Sequence, residues 1–158
     1  MKLSLWFKQF SIMFMLTGLI ACSGGGGSND DQVLESSHNA TNSMNPGQVC
    51  QNCHTSGGDG PGVFTVAGTV FDSNLIQVFP NSTIRLYTQP NGQGDLVATI
   101  EVDGLGNFFT TRSIVFGNGL YPSVSSDGGT TEYMNISTTR GDCNGCHNNS
   151  IESRIFVN

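Results

Sequence analysis

Lysine is nearly missing from this chain, and both copies, Lys2 and Lys8, fall within the first ten residues. From residue 22 onward the only fixed cations are Arg85, Arg112, Arg140 and Arg154, four against twelve acidic residues, a net charge of −8. That balance repels phosphate backbones and argues against nucleic acid as a partner. It suits a basic protein partner, and it also serves solubility. Long apolar runs are missing as well. The longest, Phe10 to Ile20, has eleven residues, where a bilayer span needs roughly twenty. Beyond it no long helical periodicity occurs, which excludes helical bundles. Nucleophile–base–acid sets, phosphate-binding glycine loops and metal-binding helices do not occur either. Asp103-Gly104-Leu105-Gly106-Asn107 lacks the glutamate and spacing of an EF-hand and reads as a tight turn. Asn81-Ser82-Thr83 matches a glycosylation sequon but is discounted, because the leader described below is bacterial in type. Histidine is scarce, with His38, His54 and His147 the complete set.

Two of those three histidines close the same pentad. Cys50-Gln51-Asn52-Cys53-His54 and Cys143-Asn144-Gly145-Cys146-His147 are both Cys-x-x-Cys-His, the pattern of c-type haem attachment. Two thiols three positions apart on a tight turn can add to the two vinyl groups of one porphyrin, and the next residue then lies beneath the ring as proximal iron ligand. Zinc ribbons also use paired Cys-x-x-Cys, but mostly in reducing compartments. A thioredoxin-like redox motif needs a strand-then-helix context, and glycine-rich sequence surrounds both pentads. Structural disulfides suit an exported domain. Neither zinc nor disulfides account for a histidine after each second cysteine.

The leader indicates export. A positive start and a short apolar stretch end in Leu19-Ile20-Ala21-Cys22, which resembles the bacterial lipobox, where cleavage precedes a cysteine that is then lipidated. An ordinary signal peptide would leave Cys22 unexplained. Five cysteines is an odd number, and two per haem leaves Cys22 for the lipid. Acyl chains supply membrane affinity at about 0.8 kcal/mol per buried methylene. The expected organisation is a lipoprotein signal peptide over 1–21, a lipidated cysteine and flexible Gly/Ser linker over 22–46, and a single domain over 47–158. Within that domain, 47–62 carries the first haem segment, 63–137 a β-sandwich and 138–158 the second haem segment. The 137 residues that remain after cleavage suffice for one modest core.

From Val63 the pattern becomes that of strands. Residues 63–71, 83–87, 96–102, 107–111 and 120–125 alternate or are β-branched, with turn signals between them and a further strand at 132–136. The expected fold is all-β, a small antiparallel β-sandwich flanked by the two haem-binding segments. Residues 151–157 are expected to form an edge strand or a cover over haem. Arg140-Gly141-Asp142 reads as turn chemistry. The order Val66-x-Gly68-x-Val70-x-Asp72, Ser82-x-Ile84-x-Leu86-Tyr87 and Asp103-x-x-Gly106-Asn107-Phe108 resembles the carboxypeptidase-regulatory or transthyretin-like sandwich over residues 63 to about 126. That resemblance implies a fold and no activity.

The two pentads resemble those of dihaem c-type cytochromes, and the match is confined to them. It implies two covalent haems, with thioether links at Cys50, Cys53, Cys143 and Cys146 and proximal ligands at His54 and His147. The motif does not specify sixth ligands. With lysine gone and the N-terminal amine acylated, His38, Met44 and Met134 remain. Met134 is the expectation for the second haem, since a thioether there would raise its potential, although methionine also fills cores. His38 is expected over Met44 for the first haem as the better donor, and a crossed arrangement stays open. The expected function is membrane-anchored electron transfer between redox partner proteins, with no small-molecule substrate and no enzymatic activity. The protein would sit on the periplasmic face or the outer surface of the outer membrane. Two alternatives are a five-coordinate haem sensor or enzyme, and a haem-containing surface binding module using Tyr87, Tyr121 and Phe109.

Overall fold

The computed structural model describes residues 32–158, so the leader, Cys22 and the glycine-rich stretch after it lie outside the described residues. Alternating β-branched and small residues produce seven strands: β1 (Val66–Phe71), β2 (Thr83–Tyr87), β3 (Leu96–Glu101), β4 (Asn107–Thr110), β5 (Tyr121–Ser125), β6 (Thr131–Tyr133) and β7 (Ile155–Phe156). They form a three-stranded sheet in the order β4-β1-β7 and a four-stranded sheet in the order β3-β2-β5-β6. The protein is an all-β sandwich, as the strand pattern predicted. Its pairings are antiparallel except one. β7 runs parallel to β1, with Val70 opposite Ile155 and Phe71 opposite Phe156.

One continuous cluster fills the space between the sheets. Val66, Val70 and Phe108 from the first sheet meet Ile84, Leu86, Ile100 and Val124 from the second. Burying each such side chain contributes roughly 1.5–3 kcal/mol. In β2 and β3 burial alternates along the strand, because one face of that sheet meets solvent. Every residue of β1 is buried, since its second face is covered by the segments that carry the two pentads. The turn predicted at 103–106 is held by the Asp103 carboxylate, which accepts from the N–H groups of Leu105 at 2.9 Å and Asn107 at 3.0 Å.

The polar run before Pro46 departs from expectation. Residues 32–46 do not form a free tether. Leu34 to Ser36 lie along the outer edge of β4, where Glu35 bridges Thr110 antiparallel, Ser36 N–H donates to Phe109 O at 3.0 Å, and Thr111 N–H donates to Leu34 O at 2.9 Å. The following residues are tied to Glu101, Asn81 and Asn107. An edge strand carries unpaired backbone groups, and serines and asparagines satisfy them as well as an apolar strand would. The boundary of the ordered domain therefore lies well before residue 47. The strand expected over 132–136 is shorter, at Thr131–Tyr133. Among the described residues no helix is long and apolar enough to cross a membrane.

Ser36 makes this edge testable. Its hydroxyl donates to Glu101 O at 2.6 Å and accepts from Phe109 N–H at 2.9 Å, in a residue only 5% exposed. Ser36→Ala removes that acceptor and should lower unfolding stability by about 1–3 kcal/mol, read as a fall in the urea midpoint. An unchanged midpoint would mean that the run is not docked in solution.

Candidate functional site

The second pentad is an excursion in the edge of the three-stranded sheet. Gly141 O accepts from Ala67 N–H at 2.9 Å and Asp142 bridges Ala67 in parallel. The chain then leaves the sheet and returns to β1 as β7. Between the two contacts sits one helical turn, α1 (Cys143–Cys146), with Asp142 as its N-cap accepting from Gly145 N–H at 3.1 Å. This is the turn chemistry expected of Arg140-Gly141-Asp142, and Arg140 pairs with the same carboxylate at 2.6 Å. A side chain at Gly145 would collide with the Asp142 carboxylate. His147 follows the turn, and its Nδ1 lies 2.7 Å from Ser153 O.

The first pentad has the same local design. Cys50–Asn52 form a 3-10 turn, and His54 N–H donates to Cys50 O at 3.0 Å. Nδ1 of His54 lies 2.9 Å from Pro61 O. The ring stacks on Phe64 at 3.8 Å and 7°, and Phe64 stacks on Phe109 at 4.7 Å. A Cβ at Gly60 would strike the His54 ring, so Gly60-Pro61 can approach only because glycine has none. A carbonyl can only accept, so each histidine carries its proton on Nδ1. Neither Nε2 has a hydrogen bond among the described residues, which leaves its lone pair free to bind a metal.

Both pentads are held to β1 by one buried polar network. The Thr69 hydroxyl donates to Asn107 Oδ1 at 2.7 Å and accepts from Gly47 N–H at 2.8 Å and from Asn144 Nδ2 at 3.1 Å. Asn144, inside the second pentad, also accepts from Thr69 N–H at 3.0 Å and donates to Gln48 O at 2.7 Å. Gln51, inside the first, donates to Gly141 O at 3.2 Å. The two pentads are therefore neighbours against β1.

Each pentad lines its own cavity. The first, of about 650 Å³, has Cys50, Cys53, His54 and Met44 in its wall. The second, of about 370 Å³, has Cys143, Cys146, His147 and Met134. Both volumes fall in the usual range of small-molecule sites. Met134 is brought there by its N–H, which donates to Pro122 O at 2.9 Å just past the end of β6. His38, expected as a ligand ahead of Met44, lines neither cavity. Its Nε2 lies 3.0 Å from Ser82 O, and its own N–H donates to Glu101 Oε2 at 2.8 Å. Docking of 32–46 along the sheet edge takes His38 past the first site and leaves Met44 facing it.

The thiols add chemical detail. Cys50, Cys143 and Cys146 are free. Cys53 is disulfide-bonded. Burial, helped by the Asp142 carboxylate, pushes the Cys50 thiol up to about 11 and the Cys143 thiol up to about 12. Protonated thiols are poor nucleophiles, which weighs against thioredoxin-like chemistry. Among the described residues no group of three or more His, Cys, Asp or Glu side chains is placed to hold a metal ion. The surface suggested for a binding module is not contiguous either. Tyr87 and Tyr121 are directly paired on β2 and β5, whereas Phe109 lies in the other sheet against Phe64.

Comparison with protein-family models, curated proteins and solved structures returns no match. The chemistry of the site is therefore read from its own residues. Sequence reasoning named the pentad cysteines and histidines, Met44 and Met134, all of which line the cavities, and it missed Thr69, Asn107, Asn144 and the carbonyls of Pro61 and Ser153. The signal for Pro61 was present in Gly60-Pro61-Gly62, a rigid turn just after the pentad. Thr69→Val keeps the shape and deletes the hydroxyl, leaving the Gly47 N–H and two amide groups without that partner. Its expected cost is about 2–4 kcal/mol, from buried groups worth roughly 1–3 kcal/mol each when orphaned. Denaturant unfolding measures it, and a loss below 0.5 kcal/mol, about the size of a surface substitution, would show that the network does not hold the two segments.

Proposed function

We propose that this chain is a dihaem c-type cytochrome, anchored by a lipid at Cys22 and carrying electrons between redox partner proteins. The observation that carries the reading is the repeated histidine geometry. In both pentads Nδ1 is held by a backbone carbonyl, at 2.9 Å for His54 and 2.7 Å for His147. Nε2 is left free beside a cavity that also contains the pentad's two cysteines. Such a bond fixes ring orientation and raises the basicity of the free nitrogen, as an iron ligand requires.

The residues fit two porphyrins in distinct roles. Cys50 with Cys53, and Cys143 with Cys146, would hold the rings by thioethers, and His54 and His147 would bind the irons from below. Met44 and Met134 supply a thioether to each cavity, which favours six-coordinate iron over an open, substrate-binding position. Bound haem supplies a one-electron couple. The protein's part is rigidity, because a sandwich that moves little keeps the ligands fixed when charge changes. With both irons closed, the chain needs no small-molecule substrate. Its acidity suits basic protein partners and not nucleic acid.

The alternative at the first site is a structural cross-link through Cys53, as suits an exported protein. Thioether formation requires that sulfur reduced. A pyridine haemochrome assay with intact mass on the exported protein separates these readings. The expected result is two covalent haems per chain, one at each pentad. Met44→Ala and Met134→Ala should each alter the low-spin spectrum of one haem, and His38→Ala should alter neither. A colourless protein, with its pentad sulfurs free, cross-linked or bound to zinc, would overturn the proposal.

A further inference from the structure

We infer that the two sites are unequal, the one built on Cys143–His147 having the higher reduction potential, with Arg154 binding the carboxylate of the group held there. The inference rests on the haem reading above and adds a direction to it. Two differences between the cavities support it.

The first is depth. The second cavity opens into the sandwich interior, with Ile84, Leu86, Phe108 and Val124 in its wall, all between 1% and 5% exposed. The first is walled on one side by the polar segment along the sheet edge, including Asn42, Ser43 and Asn45, and its Met44 is 59% exposed. Low-dielectric surroundings disfavour the more highly charged ferric state, so an iron against the apolar core wall is the more easily reduced.

The second difference is the cations. Arg140 and Arg154 line the second cavity, and no arginine lines the first, whose charged residues are Glu35 and Asp59. The total charge of the two walls does not separate them, because Glu132, Asp142 and Glu152 also line the second. Availability does. Arg140 is paired with Asp142 and Arg112 with Glu35. Arg154 has no carboxylate partner among the described residues. Its guanidinium lies 4.3 Å over the Phe71 ring and donates one N–H to Leu75 O at 2.8 Å. Packed over that ring with one N–H spent on Leu75, it keeps most of its five donors for a ligand. In a chain where acids outnumber arginines threefold, an arginine in the cavity wall that has no carboxylate partner among the described residues is matched to an anionic ligand group. A bidentate pair with a propionate neutralises negative charge near the iron, which again favours the ferrous state.

Potentiometric titration of the full-length holoprotein tests this, after haem content has been measured. Wild type should show two separated one-electron waves. Arg154→Gln should lower the higher wave and leave the lower one in place, with two haems retained, and Arg154→Lys should recover part of the shift. A Cys50→Ser/Cys53→Ser chain, carrying only the second haem, should retain the higher wave and still decides the order if Arg154→Gln fails to assemble. Coincident waves, a shift confined to the lower wave, or no shift in Arg154→Gln would overturn the inference while two haems per chain left the function intact. A chain without haem would overturn both, and the haem assay distinguishes that outcome.

Discussion

The structure depends on a saturated knot of hydrogen bonds around Thr69. A hydroxyl has one proton to give and two lone pairs to receive, and Thr69 uses all three, on Asn107, Gly47 and Asn144. Asn144 likewise spends its amide on Gln48 and Thr69 and its carbonyl on the Thr69 N–H. All three side chains at the centre are at most 3% exposed. A buried polar group without a partner is costly, so a fully satisfied network tolerates one arrangement and penalises others. That arrangement joins two segments almost a hundred residues apart in the chain to one strand.

The consequence is architectural. The three-stranded sheet is completed at one edge by a chain that leaves at Asp142 and returns at Ile155, and what it carries between is a pentad. The opposite edge, β4, is covered by residues 32–36, and the same segment continues to Met44 and the first pentad. Both edges are thus protected from pairing with other chains by the segments that carry the functional side chains. Stability and site assembly are one problem here, and a change that loosens either segment disturbs both.

Much of this was legible beforehand. The strands were readable because period-two alternation and β-branching are local signals, and Thr83–Tyr87 and Leu96–Glu101 lie close to where the pattern put them. The pentads were readable because their chemistry is contained within five residues. Residues 32–46 were misjudged because serine and asparagine look alike in a tether and along a sheet edge. Their partners, Glu101, Phe109 and Asn107, are more than sixty positions away. The preference for His38 over Met44 met the same difficulty, since Met44 and not His38 lines the first cavity. It compared donor strength and had no means of knowing which side chain the docked segment would bring to the cavity.

By itself the sequence determined the all-β class, the two thiol–thiol–histidine groups and the surplus of acidic residues, since each follows from neighbours or from composition. Tertiary structure alone decided that the two groups lie side by side, that both histidines present Nε2, and that one cavity is walled by the core while the other is walled by the polar segment before Pro46. Those outcomes depend on hydrogen bonds and packing between residues distant in the chain. Such contacts leave no periodic trace in the order of amino acids.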